Sequence, residues 1–211
     1  MSKLFLVIED HPVVRRGLEQ ILSAAFHDVR FGEASNATAA LELAARERWD
    51  LALLDLHLPG RDGLSVLEEL RRRHPSLPVL VLSVYPEQAF ALRCLRLGAA
   101  GYVTKDSAPE ELSAAVKKVL GGGSYLTAAL AENLAAIARG DLSHAPNETL
   151  SHREMQVLRL VATGRSQKQI AGELNLSEKT VATYRARIAA KLRISTNVEL
   201  TRYALRHGLV D

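Results

Sequence analysis

Glu9, Asp10, Asp55, Ser83 and Lys105 are side chains of the types that together could accept and hold a phosphoryl group. Three carboxylates brought to one point would repel one another unless a cation held them, and their hard oxygen atoms suit Mg2+, or Mn2+ in its place. A hydroxyl and an ammonium aimed at the same point would meet the remaining oxygens of a phosphoryl group. A carboxylate can itself act as a nucleophile, which makes Asp55 the candidate acceptor. Each of the five stands at or just past the end of an apolar run, and Ser83 and Lys105 follow Asp55 by 28 and 50 residues.

Those runs are predicted strands at residues 4–8, 29–34, 51–55, 79–83 and 99–104. Four are almost continuously apolar, as strands covered by helices on both faces must be. The run at 29–34 sets Arg30 and Glu33 among Val29, Phe31 and Ala34, which places it at an edge. Between the strands, Val14/Leu18/Ile21/Leu22, Leu64/Leu67/Leu70 and Leu112/Val116/Val119 recur at helical spacing. Ser107 and Glu110 read as a capping box opening the fifth helix. Repeated β-α units predict a doubly wound α/β domain with a five-stranded parallel sheet. The carboxyl ends of such strands form the ligand crevice, where the five chemical residues would meet.

Gly121-Gly122-Gly123 stops this pattern. An alanine-rich helix is predicted at 128–139, followed by a polar stretch at 140–149 with Pro146. The expected division is residues 1–122 as the first domain, 123–147 as a linker with one helix, and 148–211 as the second domain. Beyond the linker strand signals disappear. Ser151/Glu154 and Ser166/Gln169 are capping boxes, Ser177 caps a third helix, and 196–207 is a fourth, stopped by Gly208. Two short helices joined by the tight turn Leu174-Asn175-Leu176, the second rich in Arg and Lys, describe a helix-turn-helix in a small all-α four-helix domain.

Charge follows the same division. Residues 1–123 carry a net −1 and residues 147–211 a net +5, within a total of +3. A basic final third points to a polyanion. With 211 residues the chain is long enough for two small domains with real cores, and its single cysteine, Cys94, excludes an intramolecular disulfide. No apolar run approaches the roughly 18 residues of a membrane span, and Lys3 precedes no long signal-like stretch. A cytoplasmic protein is expected.

Glu9-Asp10, the run Asp55-Leu56-His57-Leu58-Pro59-Gly60, Ser83 and the run Gly101-Tyr102-Val103-Thr104-Lys105 together resemble a CheY-like receiver domain across residues 1–120. Leu150 to Glu154, Val157-Leu158, Gly164, Ile170-Ala171, Leu174, Ser177 to Val181 and Lys191-Leu192 resemble the LuxR-type helix-turn-helix. The whole chain is similar to NarL/FixJ-family response regulators, most of all their GacA/UvrY and BvgA branches. That resemblance implies a flavodoxin-like strand order 2-1-3-4-5. It implies that Asp55 takes a phosphoryl group from a sensor histidine kinase. Glu9, Asp10, Asp55 and the backbone carbonyl of His57 would hold Mg2+, and Ser83 and Lys105 would contact the phosphoryl oxygens. Tyr102 would turn inward as Ser83 moves. The phosphorylated chain would dimerise and bind paired half-sites in promoter DNA, with RNA polymerase as a further partner.

Two residues depart from the commonest receiver pattern. The acidic pair is Glu-Asp, which leaves metal binding intact, and the bulky Val84 follows Ser83. Val84, with His57 and Tyr85, is expected to restrict water at the phosphoryl group.

Within the third helix of the basic domain, Val181, Ile188 and Leu192 pack on the core, leaving Lys179, Ala182, Thr183, Ala186 and Arg187 outward. The resemblance sets Ala182, Thr183 and Ala186 against bases and Lys179, Thr180, Tyr184 and Arg187 against phosphates. Arg185 is the candidate guanine contact, and Lys191 a backbone contact. In the last helix, Val198, Leu200, Tyr203, Ala204 and Leu205 offer either a dimer contact or closure of the four-helix core. Other readings are a phosphorylation-independent regulator, a protein-binding adaptor, or a metal-dependent phosphohydrolase. The hydrolase lacks a second acid two residues after Asp55 and a cap domain, and the +5 domain argues against the adaptor.

Overall fold

The computed structural model describes residues 2–84, 87–139, 150–194, 196–207 and 209–210. Tyr85, the polar stretch at 140–149 with the expected boundary between linker and second domain, and Gly208 lie outside them. The chain divides into two compact units, Met1–Leu142 and Ser143–Asp211. No described helix is long and apolar enough to cross a membrane.

The first unit alternates β1 (Lys3–Ile8), α1 (Pro12–Ala25), β2 (Val29–Ala34), α2 (Ala37–Arg46), β3 (Leu51–Asp55), α3 (Gly63–Arg73), β4 (Val79–Ser83), α4 (Glu87–Arg96), β5 (Gly101–Thr104) and α5 (Pro109–Leu120). The five strands are parallel in the order β2-β1-β3-β4-β5. Every residue of β3 and β4 is buried, whereas in β2, at the edge, only Ala34 is. Order reverses between β1 and β3, the point at which a doubly wound sheet opens a crevice beyond its strand ends. Register aligns those ends: Ile8 pairs with Leu54, Asp55 with Leu82 and Ser83 with Thr104.

Local chemistry sets the helices that frame this edge. Asp62 caps α3 by accepting from Leu64 N at 3.2 Å. Gly63 then passes so close to the strand end that a Cβ there would lie 2.5 Å from the Leu56 Cα. The capping box expected at the start of α5 does not form. Its N-cap is Ala108, with no side-chain cap, and Ser107 Oγ instead shares a hydrogen bond with Thr104 Oγ1 at 2.9 Å. Pro109 in the first turn has no N–H, so the uncapped start of α5 carries one unsatisfied donor fewer. β5 starts at Gly101, later than expected, because Ala99 N still bonds back to Cys94 O at the end of α4.

The segment after α5 carries the expected helix, α6 (Ala128–Ala138), and its first residues are fastened to the first unit. Tyr125 N donates to Ala100 O at 2.9 Å, and Tyr125 forms a parallel bridge with Gly101 at the free edge of β5. A Cβ on Gly101 would lie 2.9 Å from Tyr125, so only glycine admits this approach. Tyr125 Oη donates to Glu111 at 3.0 Å, and Thr127 Oγ1 donates to the Glu87 carboxylate on α4.

The described residues of the second unit form four helices, α7 (His152–Ala162), α8 (Gln167–Glu173), α9 (Glu178–Leu192) and α10 (Asn197–Arg206). Both expected capping boxes close, at Ser151/Glu154 and Ser166/Gln169, and a third forms at Thr196/Glu199. Ser177 caps α9 through Thr180 N at 3.1 Å. Asn175, at φ +53°, makes the turn between α8 and α9, a conformation Asn tolerates better than most residues. Met155, Leu158, Ile170, Val181, Ile188 and Leu192 are buried in the core, with Leu200 and Ala204 of α10.

Candidate functional site

The strand ends bring the five chemical residues of the first unit to one edge. Glu9 follows β1, Asp55 ends β3, Ser83 ends β4, and Lys105 follows β5, its N–H donating to Ser83 O at 2.8 Å. Asp55 is 1% exposed and Glu9 is fully buried. The Lys105 ammonium lies between them, 2.8 Å from Asp55 Oδ2 and 2.6 Å from Glu9 Oε2. Asp55 Oδ1 accepts from His57 N at 3.0 Å. Ser83 and Tyr102 are each 1% exposed, so the Tyr102 ring occupies the inward position.

Burial pushes the Asp55 carboxyl above its ordinary range, against the pull of Lys105 and with the support of Glu9. Burial also opposes the Lys105 charge, but Asp55 and Glu9 outweigh it and hold that ammonium above its ordinary value. The site therefore holds more buried negative charge than one lysine offsets.

One ligand atom from each of Glu9, Asp10, His11 and Asp55 lies within 4.8 Å of the others. Among the described residues, Asp10 Oδ1 and Asp55 Oδ2 accept no well-angled hydrogen bond, and each faces a nitrogen at ion-pair distance. Under-satisfied, mostly carboxylate oxygens around excess negative charge suit a hard divalent cation. His11 was not foreseen. Its Nδ1 lies 2.8 Å from Asp10 Oδ1 and 3.2 Å from Glu9 Oε1, and the only trace of it in the sequence is its place directly after the acidic pair.

In the second unit, α9 turns Lys179, Ala182, Thr183, Ala186 and Arg187 outward, and Thr180 and Tyr184 are half-buried at its sides. Arg185, the expected guanine contact, is half-buried at the side of α9. It sits roughly 40° around the helix from buried Val181, and its Nη2 donates to Asn197 Oδ1 of α10 at 2.6 Å. Lys191 Nζ donates to the buried Glu154 carboxylate at 2.6 Å. On α10, Leu200 and Ala204 belong to the domain's own core and are closed to a partner. Val198, at 67% exposed, and Leu205, at 52%, remain open, with Tyr203 half-buried and its ring 4.2 Å from that of His207.

Residues 5–117 match the response regulator receiver domain, and residues 148–204 match the bacterial regulatory proteins of the luxR family. The response regulator GacA of Pseudomonas aeruginosa is 37% identical over 207 residues, covering 98% of this chain and 97% of that protein. The chain belongs to the NarL/FixJ family of response regulators. UvrY of Escherichia coli, another response regulator, is 34% identical over 98% of this chain and 95% of its own. Among solved structures, RcsB of Salmonella enterica serovar Typhimurium, bound to promoter rprA with the phosphomimetic BeF3−, aligns with a TM-score of 0.63 at 27% identity. That alignment covers 96% of this chain and 98% of RcsB. As a two-component response regulator, the chain joins a receiver that carries the acidic cluster to a LuxR-type DNA-binding domain that carries α9. Its relatives are DNA-binding regulators.

Proposed function

We propose that Asp55 accepts a phosphoryl group from a sensor histidine kinase, and that the modified chain pairs with a second copy and binds promoter DNA through α9. The observation that carries this reading is the buried Asp55 carboxylate held 2.8 Å from the Lys105 ammonium beside Glu9 and Ser83. In the transfer, an Asp55 oxygen bonds phosphorus as the P–N bond of the donor phosphohistidine breaks, its electron pair staying on the imidazole. Glu9, Asp10, Asp55 and the His57 carbonyl would hold Mg2+, which when bound neutralises phosphoryl charge. Lys105 offsets charge on the phosphoryl oxygens, and the Ser83 hydroxyl donates to one of them. Moving Ser83 to that oxygen draws β4 toward the site, and the inward Tyr102 ring fills the space behind it. The chain would turn over only its own acyl phosphate.

Dimer formation uses Val198, Leu205 and Tyr203 of α10, the part of its expected surface left open. Pairing matters because a single four-helix module makes few DNA contacts, and a tethered second module binds at high effective concentration. Lys179, Thr180, Tyr184 and Arg187 contact phosphates, and Ala182, Thr183 and Ala186 approach base edges. This function belongs in the cytoplasm, beside DNA and RNA polymerase.

Val84, 60% exposed, directly follows Ser83. Val84→Ala is expected to shorten the lifetime of the acyl phosphate severalfold, by admitting water. Phosphate release from the isolated phosphoprotein measures it, and an unchanged rate would count against the screening role. The reading as a whole is tested by anisotropy on a labelled duplex selected from random sequence. Beryllofluoride with Mg2+ is expected to tighten binding at least tenfold in the wild type and leave Asp55→Ala unaffected. Equal affinity with and without beryllofluoride would favour the phosphorylation-independent regulator.

A further inference from the structure

Among the described residues, the second unit contains three capping boxes, and the acid of the one at Ser151/Glu154 is joined to α9. At the start of α7, Glu154 N donates to Ser151 Oγ at 3.2 Å, and Ser151 N donates to Glu154 Oε2 at 2.6 Å. That same oxygen also receives Lys191 Nζ, from the last turn of α9, at 2.6 Å. Glu154 is 2% exposed.

A box of this kind does not need a charge. At the start of α8 the equivalent position is Gln169, and the box closes with a neutral amide, Ser166 N donating to Gln169 Oε1 at 2.8 Å. An ionised carboxylate buried at Glu154 is costly unless paired, so its charge must serve a contact other than the cap. Lys191 is that contact. Burial works against the Glu154 charge, yet the Lys191 ammonium and the Ser151 donors hold its carboxyl below the ordinary range. Glu154 is the buried partner and the Lys191 side chain is 38% exposed, so breaking the pair strands the buried carboxylate, and that cost fixes the geometry.

We propose that Lys191 is a positioning residue, whose ion pair with Glu154 sets the angle of α9 against α7 and so the presentation of Lys179, Thr183 and Arg187 to DNA, and that it does not ligate a phosphate. The proposal rests on the reading of α9 as the recognition helix. It predicts that a buried residue which cannot touch DNA, Glu154, matters to binding as much as a basic residue on the binding helix does.

The test uses the full chain with beryllofluoride and Mg2+, on a fluorescein-labelled duplex selected with the wild type, across a salt series. Helicity by circular dichroism is checked at the same temperature. Each phosphate ligand lost lowers the slope of log affinity against log salt by about 0.9. Lys191→Gln is expected to weaken binding about tenfold, within the cost of one mismatched base pair, with the slope unchanged. Glu154→Gln keeps the box, as Gln169 does, and is expected to weaken binding equally with the same slope. The double variant should be no weaker than either single one, because both remove one interaction. Lys191→Arg, which keeps the charge, should recover most of the loss. Arg187→Ala, by contrast, should lower the slope by about 0.9. A slope lowered by that amount in Lys191→Gln, with Glu154→Gln binding as wild type does, would make Lys191 a phosphate ligand and overturn the proposal. Unchanged binding in Arg187→Ala would show that α9 does not face DNA and would overturn the proposal together with the reading beneath it.

Discussion

Asp55→Asn is expected to lose phosphoryl acceptance entirely and yet melt above the wild type. An amide forms no acyl phosphate, so the first effect is complete. The second follows from charge. Asp55 is 1% exposed beside the fully buried Glu9, and burial already pushes its carboxyl up. A carboxyl raised in the folded state contributes stability that is present at low pH and lost as pH rises through its folded value. Asparagine removes that loss and still offers an oxygen to His57 N and to Lys105. The gain should be about 1–2 kcal/mol, the range typical of relieved functional sites. It should be visible at pH 7 without divalent ions and should vanish once acid protonates Asp55 in the wild type. Mg2+ should narrow it, because a cation that binds the wild type more tightly stabilises it more. Thermal melts at pH 7 and pH 4, with and without Mg2+, measure all three. A variant less stable than the wild type at pH 7 would contradict the charge accounting.

Lys105→Ala should act in the opposite direction. The ammonium is the cation shared by Asp55 and Glu9, at 2.8 and 2.6 Å, with its own side chain 15% exposed. Its removal leaves two buried carboxylates facing each other. The cost should be on the order of 3 kcal/mol, the low end for one partner removed from a buried pair, since one carboxyl can take up a proton. Mg2+ should restore much more stability to this variant than to the wild type, because the ion replaces the missing positive charge. Phosphoryl transfer should still fall by two orders of magnitude or more, the loss of one preorganised charge-stabilising group. Denaturant titrations with and without Mg2+, alongside phosphorylation rates, separate the two effects. Equal stability with the wild type in the absence of Mg2+ would contradict a buried, lysine-balanced site.

The parts of this protein that could be read in advance are those written into single strands and single helices. Asp55, Ser83 and Lys105 could be placed because each ends an apolar run, and parallel strands carry their ends to one edge. The order of β2 at the margin was visible in Arg30 and Glu33. The faces of α9 followed from the spacing of Val181, Ile188 and Leu192. What could not be read was which side chain on one element meets which on another. Arg185 and Lys191 have the composition of DNA contacts, but their partners, Asn197 and Glu154, lie on other helices. The spacing of Ser107 and Glu110 fits a cap, whereas Thr104 competes for Ser107 within the same loop. Leu200 and Ala204 are apolar for the domain's own core, and periodicity alone cannot separate that from a dimer face. Tyr125, in a segment that reads as a linker, adds to the edge of β5 because Gly101 leaves room for it.

The most direct test of the central claim is the intact mass of the wild type and of Asp55→Ala after incubation with Mg2+ and either acetyl phosphate or a phosphorylated histidine kinase. One phosphoryl group on the wild type, mapped to Asp55 and absent from the variant, is the predicted result. An adduct that persists in Asp55→Ala, or no adduct from either donor, would contradict it.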